Sequence, residues 1–191
     1  MQKSLVIASL IAISSSVMAV DLEYFLGTGI ERGDATFNVT VSAPNIGYRE
    51  SISDNGTDIG LKLNTGVILD KTHRMSLSLT KFSGDDSNVN ILLGNYDYLI
   101  PINNEFRLYA GLHAGNAQYK KAQIKMSGLA YGTQVGAIYD ITKNIEFEIG
   151  LGYTKYNVEK TLNSTEQGVD VSRTVEFEDA ISMFAGINYK F

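Results

Sequence analysis

Hydrophobic and polar residues alternate with a period of two in successive segments of the chain. In residues 145–156, apolar side chains occupy the odd positions from Ile145 to Tyr153, while the even positions begin with Glu146 and Glu148 and continue with glycines. Successive side chains of a β-strand point to opposite faces, so such a segment has one apolar and one polar face. Segments of about ten residues with this pattern, separated by turn residues, are typical of transmembrane β-barrel strands.

Eight such segments follow one another along the chain: residues 22–31, 57–69, 74–82, 89–100, 105–115, 126–140, 145–156 and 179–191. Short connections near residues 70, 102 and 142 alternate strictly with four longer ones, over residues 32–56, 83–88, 116–125 and 157–178. This alternation is expected when short turns face the periplasm and longer loops face outward. The pattern therefore predicts an all-β protein, an eight-stranded antiparallel up-and-down transmembrane β-barrel.

The first long connection leaves an alternative open. Phe37, Val39 and Val41 also alternate with polar residues. They could form an extended hairpin above the membrane, or two further strands of a ten-stranded barrel.

The charged residues of these segments decide which face meets lipid. If the apolar positions face outward, six charged side chains point into the barrel: Lys62, Arg74, Arg107, Glu146, Glu148 and Lys190. In the opposite phase several of them would face hydrocarbon, where a lysine or arginine at mid-depth costs about 2–4 kcal/mol. We therefore predict that these six residues form a structural ion-pair network in a filled lumen, with inward-facing glycines making room for the long side chains.

Aromatic residues support the same phase. They fall on the predicted outer face near the short turns, as in an interfacial girdle: Tyr24, Tyr96, Tyr98, Phe106, Tyr139, Phe147, Tyr189 and Phe191. A secreted soluble barrel of the lipocalin type would also alternate, but it gives no reason for rings to gather outside at one end.

The N-terminal segment predicts export. Lys3 precedes an apolar run over residues 5–13, and small residues lead to Ala19. The run is too short to span a bilayer, so it is typical of a secretory signal peptide cleaved after Ala19. The predicted division is a cleaved signal peptide, residues 1–19, and an outer-membrane barrel, residues 20–191.

The C-terminal segment ends in an aromatic residue, with alternating apolar residues before it. It resembles the terminal strand of bacterial outer-membrane proteins, and the matching positions are Phe191, Tyr189, Ile187 and Met183. With the signal peptide and the eight segments, the mature chain resembles the superfamily of the OmpA transmembrane domain, OmpX and the opacity-type proteins.

This resemblance implies a monomeric barrel in the outer membrane of a Gram-negative bacterium. The terminal strand would be the signal that the barrel-assembly machinery reads, after periplasmic chaperones have delivered the chain. Membrane lipid and lipopolysaccharide would surround the folded protein.

Composition and motifs point away from catalysis. The chain has a net charge of −5 and no cysteine, which disfavours nucleic acid as a partner and excludes disulfides. Of the two histidines, His73 belongs beside a short turn and His113 should point into the lumen, where Ser127 on the next strand is a conceivable nucleophile. The serine position of barrel-shaped lipid A deacylases, two residues after the histidine, is occupied here by Gly115. We predict no catalytic residue, no cofactor and no metal site, and the acidic loop residues match no calcium-loop spacing.

The predicted function is therefore non-enzymatic. We expect a structural and surface-interaction role, adhesin-like or opacity-like, through extracellular loops, with residues 157–178 as the best candidate for contact with a host or cell surface. The alternative is a narrow porin-like channel for ions or small solutes. A lipid-modifying enzyme is the third possibility.

Overall fold

A computed structural model of the protein describes residues 21–83, 87–121, 124–166 and 169–191. Within these residues, eight antiparallel strands form a closed ring in which each strand pairs with its sequence neighbours and the last pairs with the first. The strands are β1 (Leu22–Ala43), β2 (Tyr48–Leu69), β3 (His73–Ser83), β4 (Ser87–Pro101), β5 (Phe106–Lys121), β6 (Ile124–Asp140), β7 (Ile145–Glu166) and β8 (Val169–Lys190).

The predicted eight-stranded up-and-down barrel is confirmed. The predicted signal peptide, with its cleavage site at Ala19, lies outside the described residues. No helix within the described ranges is long and apolar enough to cross a membrane.

The phase of the strands agrees with the sequence prediction. Large apolar side chains such as Leu61 and Leu112 are exposed on the outer face, whereas Phe25, Ile68 and Leu99 are fully buried inside. Seven of the eight predicted girdle rings are exposed near the short turns, and Phe106 is half-buried.

The predicted long connections are wrong in extent, because strands occupy most of them. Residues 32–56 form an extended hairpin in which β1 and β2 pair continuously from Leu22 with Leu69 to Ala43 with Tyr48, closed by a short 3₁₀ turn at Pro44–Ile46. Residues 157–178 likewise belong mostly to β7 and β8, and residues 116–125 mostly to β5 and β6. The first connection thus holds an extended hairpin and not two further strands.

Four adjacent strands continue beyond the rest of the barrel. They are residues 37–43 of β1, 48–54 of β2, 158–166 of β7 and 169–177 of β8, and we call them the wall. β1 pairs with β2 on one side and with β8 on the other, and β8 pairs with β7. The register shifts opposite Glu178 in both β8 pairings, so an irregularity marks the base of the wall.

The two faces of β1 exchange their polarity between the barrel and the wall. Even-numbered side chains point outward, and they are mostly apolar over residues 22–30 but polar or charged from Arg32 onward. On the inner side, Val39 and Val41 share the face of Phe37, whose ring packs against a buried cluster in the barrel. This exchange of polarity indicates that β1 leaves hydrocarbon near Arg32, because an outer face above the membrane meets water.

Candidate functional site

Arg74 lies in the middle of the lumen with two carboxylate partners. Its Nε is 2.9 Å from Oδ2 of Asp97, and its Nη2 is 2.7 Å from Oε1 of Glu148. The guanidinium carbon also lies 4.5 Å from the centre of the Tyr109 ring. Both carboxylates are buried and have lost their hydration, so the ion pairs with Arg74 offset the cost of that desolvation.

A second group of charges lies nearer the short turns. Arg107 Nη2 is 2.9 Å from Oδ1 of Asp140 and 2.8 Å from Oε2 of Glu146. Lys190 Nζ is 2.8 Å from the same Asp140 oxygen. Asn188 joins the two groups, because its amide nitrogen donates to Glu146 and to Glu148, at 3.0 and 2.9 Å.

Lys62 is separate from this network. Its Nζ lies 3.1 Å from Oε2 of Glu31, which also accepts a hydrogen bond of 2.9 Å from the Thr80 hydroxyl, and 3.7 Å from the centre of the Phe184 ring. The structure therefore brings five of the six predicted lumen residues into one network and gives the sixth, Lys62, its own carboxylate.

Four partners were missed by the sequence analysis: Glu31, Asp97, Asp140 and Asn188. Each stands at an inward-facing position of its strand, so the alternation itself could have found them. In β4 the alternation of polar and apolar residues is ambiguous, because Ile91 and Leu93 face inward although they are apolar.

The inward-facing glycines make room for rings as well as for charges. A Cβ atom at Gly136 or Gly150 would overlap the hydroxyl of Tyr109, and at Gly150 it would also overlap the Phe184 ring. The expectation that these glycines accommodate long charged side chains is thus incomplete.

Two apolar clusters also fill the lumen, one among the charges near the short turns and one further out. The inner cluster, towards the short turns, contains Phe25, Ile68, Leu99, Tyr109, Ile138 and Phe184. The outer cluster includes Phe82, Ile91, Met126, Tyr156 and Phe177, with Tyr156 and Phe177 stacked at a centroid distance of 4.1 Å. A polar cavity of about 20 Å³, lined by Lys62, Asn64 and Arg74 among others, has room for about one water molecule. The lumen is therefore packed.

The histidines do not form a catalytic site with serine. His113 is buried, and its Nε2 lies 2.9 Å from Oγ1 of Thr154 on β7. Ser127 is exposed on the outer face of β6, so the conceivable pairing of Ser127 with His113 is wrong, because the two side chains lie on opposite faces. His73 begins β3, where its Nδ1 lies 2.8 Å from the Tyr96 hydroxyl. Within the described ranges, no group of three or more His, Cys, Asp or Glu side chains could hold a metal ion.

The outer face of the wall carries rows of hydroxyl groups. Ser51, Thr40, Thr174 and Thr161 stand side by side across the four strands. Hydrogen bonds link the Thr40 and Ser51 hydroxyls at 3.0 Å and the Thr161 and Thr174 hydroxyls at 2.9 Å. This face is polar, as expected for a surface above the membrane.

Two polar contacts near the wall involve acidic residues. At its base, the Thr57 hydroxyl donates to Asp34, and this hydrogen bond holds the pKa of the Asp34 carboxyl below its ordinary value. At the opposite end, the Tyr48 hydroxyl donates to Glu50, which raises the pKa of Tyr48.

Comparisons with known proteins agree with this architecture. No protein-family model and no curated protein sequence matches the chain. Among solved structures, OprG of Pseudomonas aeruginosa is similar with a TM-score of 0.67 and 16% identity, over 88% of this chain and 95% of OprG. AlkL in DMPC bilayers gives a TM-score of 0.60 and 16% identity over 93% of this chain and 94% of AlkL, and Neisserial surface protein A gives 0.54 and 12% over 85% and 97%.

At these identities the likeness concerns the fold. The chain has the fold of the small outer-membrane β-barrels, as the resemblance to the OmpA and OmpX superfamily implied. This fold, with its exposed apolar outer band, places the protein in an outer membrane.

We expect Glu148→Ala to lower the temperature at which the folded band disappears from an unboiled gel. The substitution leaves buried Arg74 with only Asp97 as a charged partner, and breaking a buried ion pair costs about 3–5 kcal/mol. Glu159→Ala, at an exposed position of β7, is the matched control and should leave the transition unchanged. If the folded band disappears at the same temperature in both variants, Glu148 does not stabilise the barrel.

Asn188→Ala should lower the stability of the purified barrel, whereas Phe191→Ala should lower the amount of barrel assembled in cells. Asn188 links two buried carboxylates, so its loss should lower the unfolding temperature of protein refolded in detergent. The Phe191 ring is 69% exposed, so Phe191→Ala should keep that temperature but reduce the amount of folded protein in outer membranes. Normal assembly of Phe191→Ala in cells would contradict a role for Phe191 as an assembly signal.

Proposed function

We propose that the protein is a non-enzymatic outer-membrane barrel that takes part in surface interactions through the wall. The observation that carries this proposal is that the longest strands of the barrel continue as a folded four-stranded sheet outside the apolar band. A rigid sheet of this kind holds its side chains in place, which lowers the entropic cost of binding a partner.

The inner face and the end of the wall offer mixed chemistry for such a partner. Rows across the sheet combine Ile52, Val39, Val175 and Lys160, and then Glu50, Val41, Arg173 and Leu162. Ile52 is 59% exposed. Protein-binding surfaces have an apolar core and a polar rim, and the row of Ile52, Val39 and Val175 with Lys160 at its end fits that arrangement.

The filled lumen supports a structural role for the barrel. The ion-pair network and the two apolar clusters occupy its interior, so the predicted network of Lys62, Arg74, Arg107, Glu146, Glu148 and Lys190 acts as a stabilising core in this proposal. The pairing of His113 with Thr154 and the outward position of Ser127 support the absence of catalysis.

Export and assembly complete the proposal. The signal peptide would be removed after Ala19, and the barrel-assembly machinery would read Phe191, Tyr189, Ile187 and Met183 after chaperone delivery. The side chains of Met183, Ile187 and Tyr189 are exposed on the lipid-facing side of β8, and Phe191 lies just beyond the end of the strand. An assembly factor can therefore reach all four.

Shortening the wall should abolish surface attachment without unfolding the barrel. Replacement of residues 161–174 by Asn-Gly keeps Lys160 opposite Val175, and replacement of residues 40–51 by Asn-Gly keeps Val39 opposite Ile52. We expect cells that display either variant to lose autoaggregation and attachment to epithelial monolayers, while heat-modifiability on gels persists.

A matched control for these variants replaces residues 44–47 by Asn-Gly. This change removes the 3₁₀ turn and leaves every row of the wall intact, so attachment should be retained. Attachment by the shortened variants at the level of the unchanged protein would contradict the proposed role of the wall.

A narrow channel is the second candidate, and the polar cavity beside Lys62 and Arg74 is the observation that favours it. Because the ion-pair network and the two apolar clusters fill the lumen, we expect the refolded protein to show no single-channel steps in planar bilayers, with an open porin as positive control. Reproducible steps whose ion selectivity changes in Lys62→Gln would establish the channel and overturn the closed lumen.

A further inference from the structure

A cluster of lysines lies at the outer end of the β5–β6 hairpin. Lys120 and Lys125 stand directly opposite each other in the β5–β6 register, and both are exposed on the outer face. Lys160 of β7 extends to the same strand end, where its Nζ lies 3.4 Å from the backbone oxygen of Lys125. We call these three residues the lysine corner.

The lysine corner has no charge partner in the described part of the chain. No described carboxylate lies within 4.0 Å of any of the three ammonium groups, although acidic residues outnumber basic ones by 21 to 16 over the whole chain. Like charges placed directly opposite each other on two strands destabilise a sheet. An external anion that binds between Lys120 and Lys125 would remove this repulsion.

The distance of the lysine corner from the hydrocarbon core indicates which anion it can bind. On β6 the outward apolar positions nearest the outer end are Tyr131 and Leu129, and Lys125 lies four residues beyond Leu129 towards that end of the strand. At about 3.3 Å per residue along a strand, this separation is about 13 Å, and less when measured along the membrane normal because strands tilt. Headgroups extend about 5–8 Å beyond the hydrocarbon core, and lysine side chains can reach back to that level.

We propose that the lysine corner binds the phosphate groups of lipopolysaccharide in the outer leaflet. Lys120 and Lys125 would hold one phosphorylated headgroup from the outer face, and Lys160 would add a third ammonium from the neighbouring strand. The proposal depends on the outer-membrane location. It shares Lys160 with the wall, so its test changes only Lys120 and Lys125.

The opposite membrane side provides a control. Lys143 lies in the short turn between β6 and β7 and is exposed, so its replacement removes one positive charge at the periplasmic end, against two removed at the lysine corner. The variants compared are Lys120→Gln with Lys125→Gln, and Lys143→Gln.

The test measures the unfolding temperature of refolded protein in zwitterionic detergent as bisphosphorylated lipid A is added. A lysine near an anionic surface contributes about a fivefold gain in affinity, so the double variant should bind about 25-fold more weakly than the unchanged protein. Lys143→Gln should bind as the unchanged protein does. Without lipid A the double variant should be at least as stable as the unchanged protein, because the repulsion between Lys120 and Lys125 is gone.

Three outcomes would overturn the proposal. The first is equal stabilisation of the unchanged protein and the double variant by lipid A. The second is equal stabilisation by dephosphorylated lipid A, which would assign the contact to acyl chains or sugar. The third is full stabilisation by inorganic phosphate or by a heparin fragment at equal phosphate or sulfate concentration, which would assign the corner to soluble anions.

Discussion

In hydrocarbon, no water can satisfy the N–H and C=O groups of the backbone, so strands that cross a membrane must pair with one another around a closed ring. The pairing of β8 with β1, from Phe25 with Lys190 to Ser42 with Ser172, meets this requirement. Once the ring is closed, every strand divides its side chains between lipid and lumen. Charges remain inside, where they find partners, as Arg74 does with Asp97 and Glu148.

A ring of eight strands is narrow, and this limits what the lumen can do. Side chains fill it, and glycines such as Gly136 and Gly150 are needed to seat the Tyr109 ring. Function is then expected where the strands leave the bilayer. There the outer face no longer has to be apolar, and the wall turns hydroxyl rows such as Thr40 and Thr174 outward while Val39 and Val41 turn inward.

Much of this architecture could be predicted from the alternation of residues alone. It identified the strand phase and the six charged lumen residues, and it should also have excluded Ser127, which stands in the outward phase of Leu129 and Tyr131. The length of the wall was not predicted, because the outward positions of its strands are polar and so lack the apolar pattern of a membrane-spanning strand. The link from Asn188 to Glu146 and Glu148 depends on side-chain geometry around the ring, which local periodicity does not contain.

The division of β1 between lipid and water can be measured directly, because the chain has no cysteine and single cysteines can be introduced for spin labels. We predict that labels at positions 26 and 30 collide mainly with oxygen dissolved in lipid. Labels at positions 40 and 42, on the same outer face, should collide mainly with a water-soluble nickel complex. Oxygen accessibility at positions 40 and 42 as high as at positions 26 and 30, or nickel accessibility as high at positions 26 and 30 as at positions 40 and 42, would contradict the account.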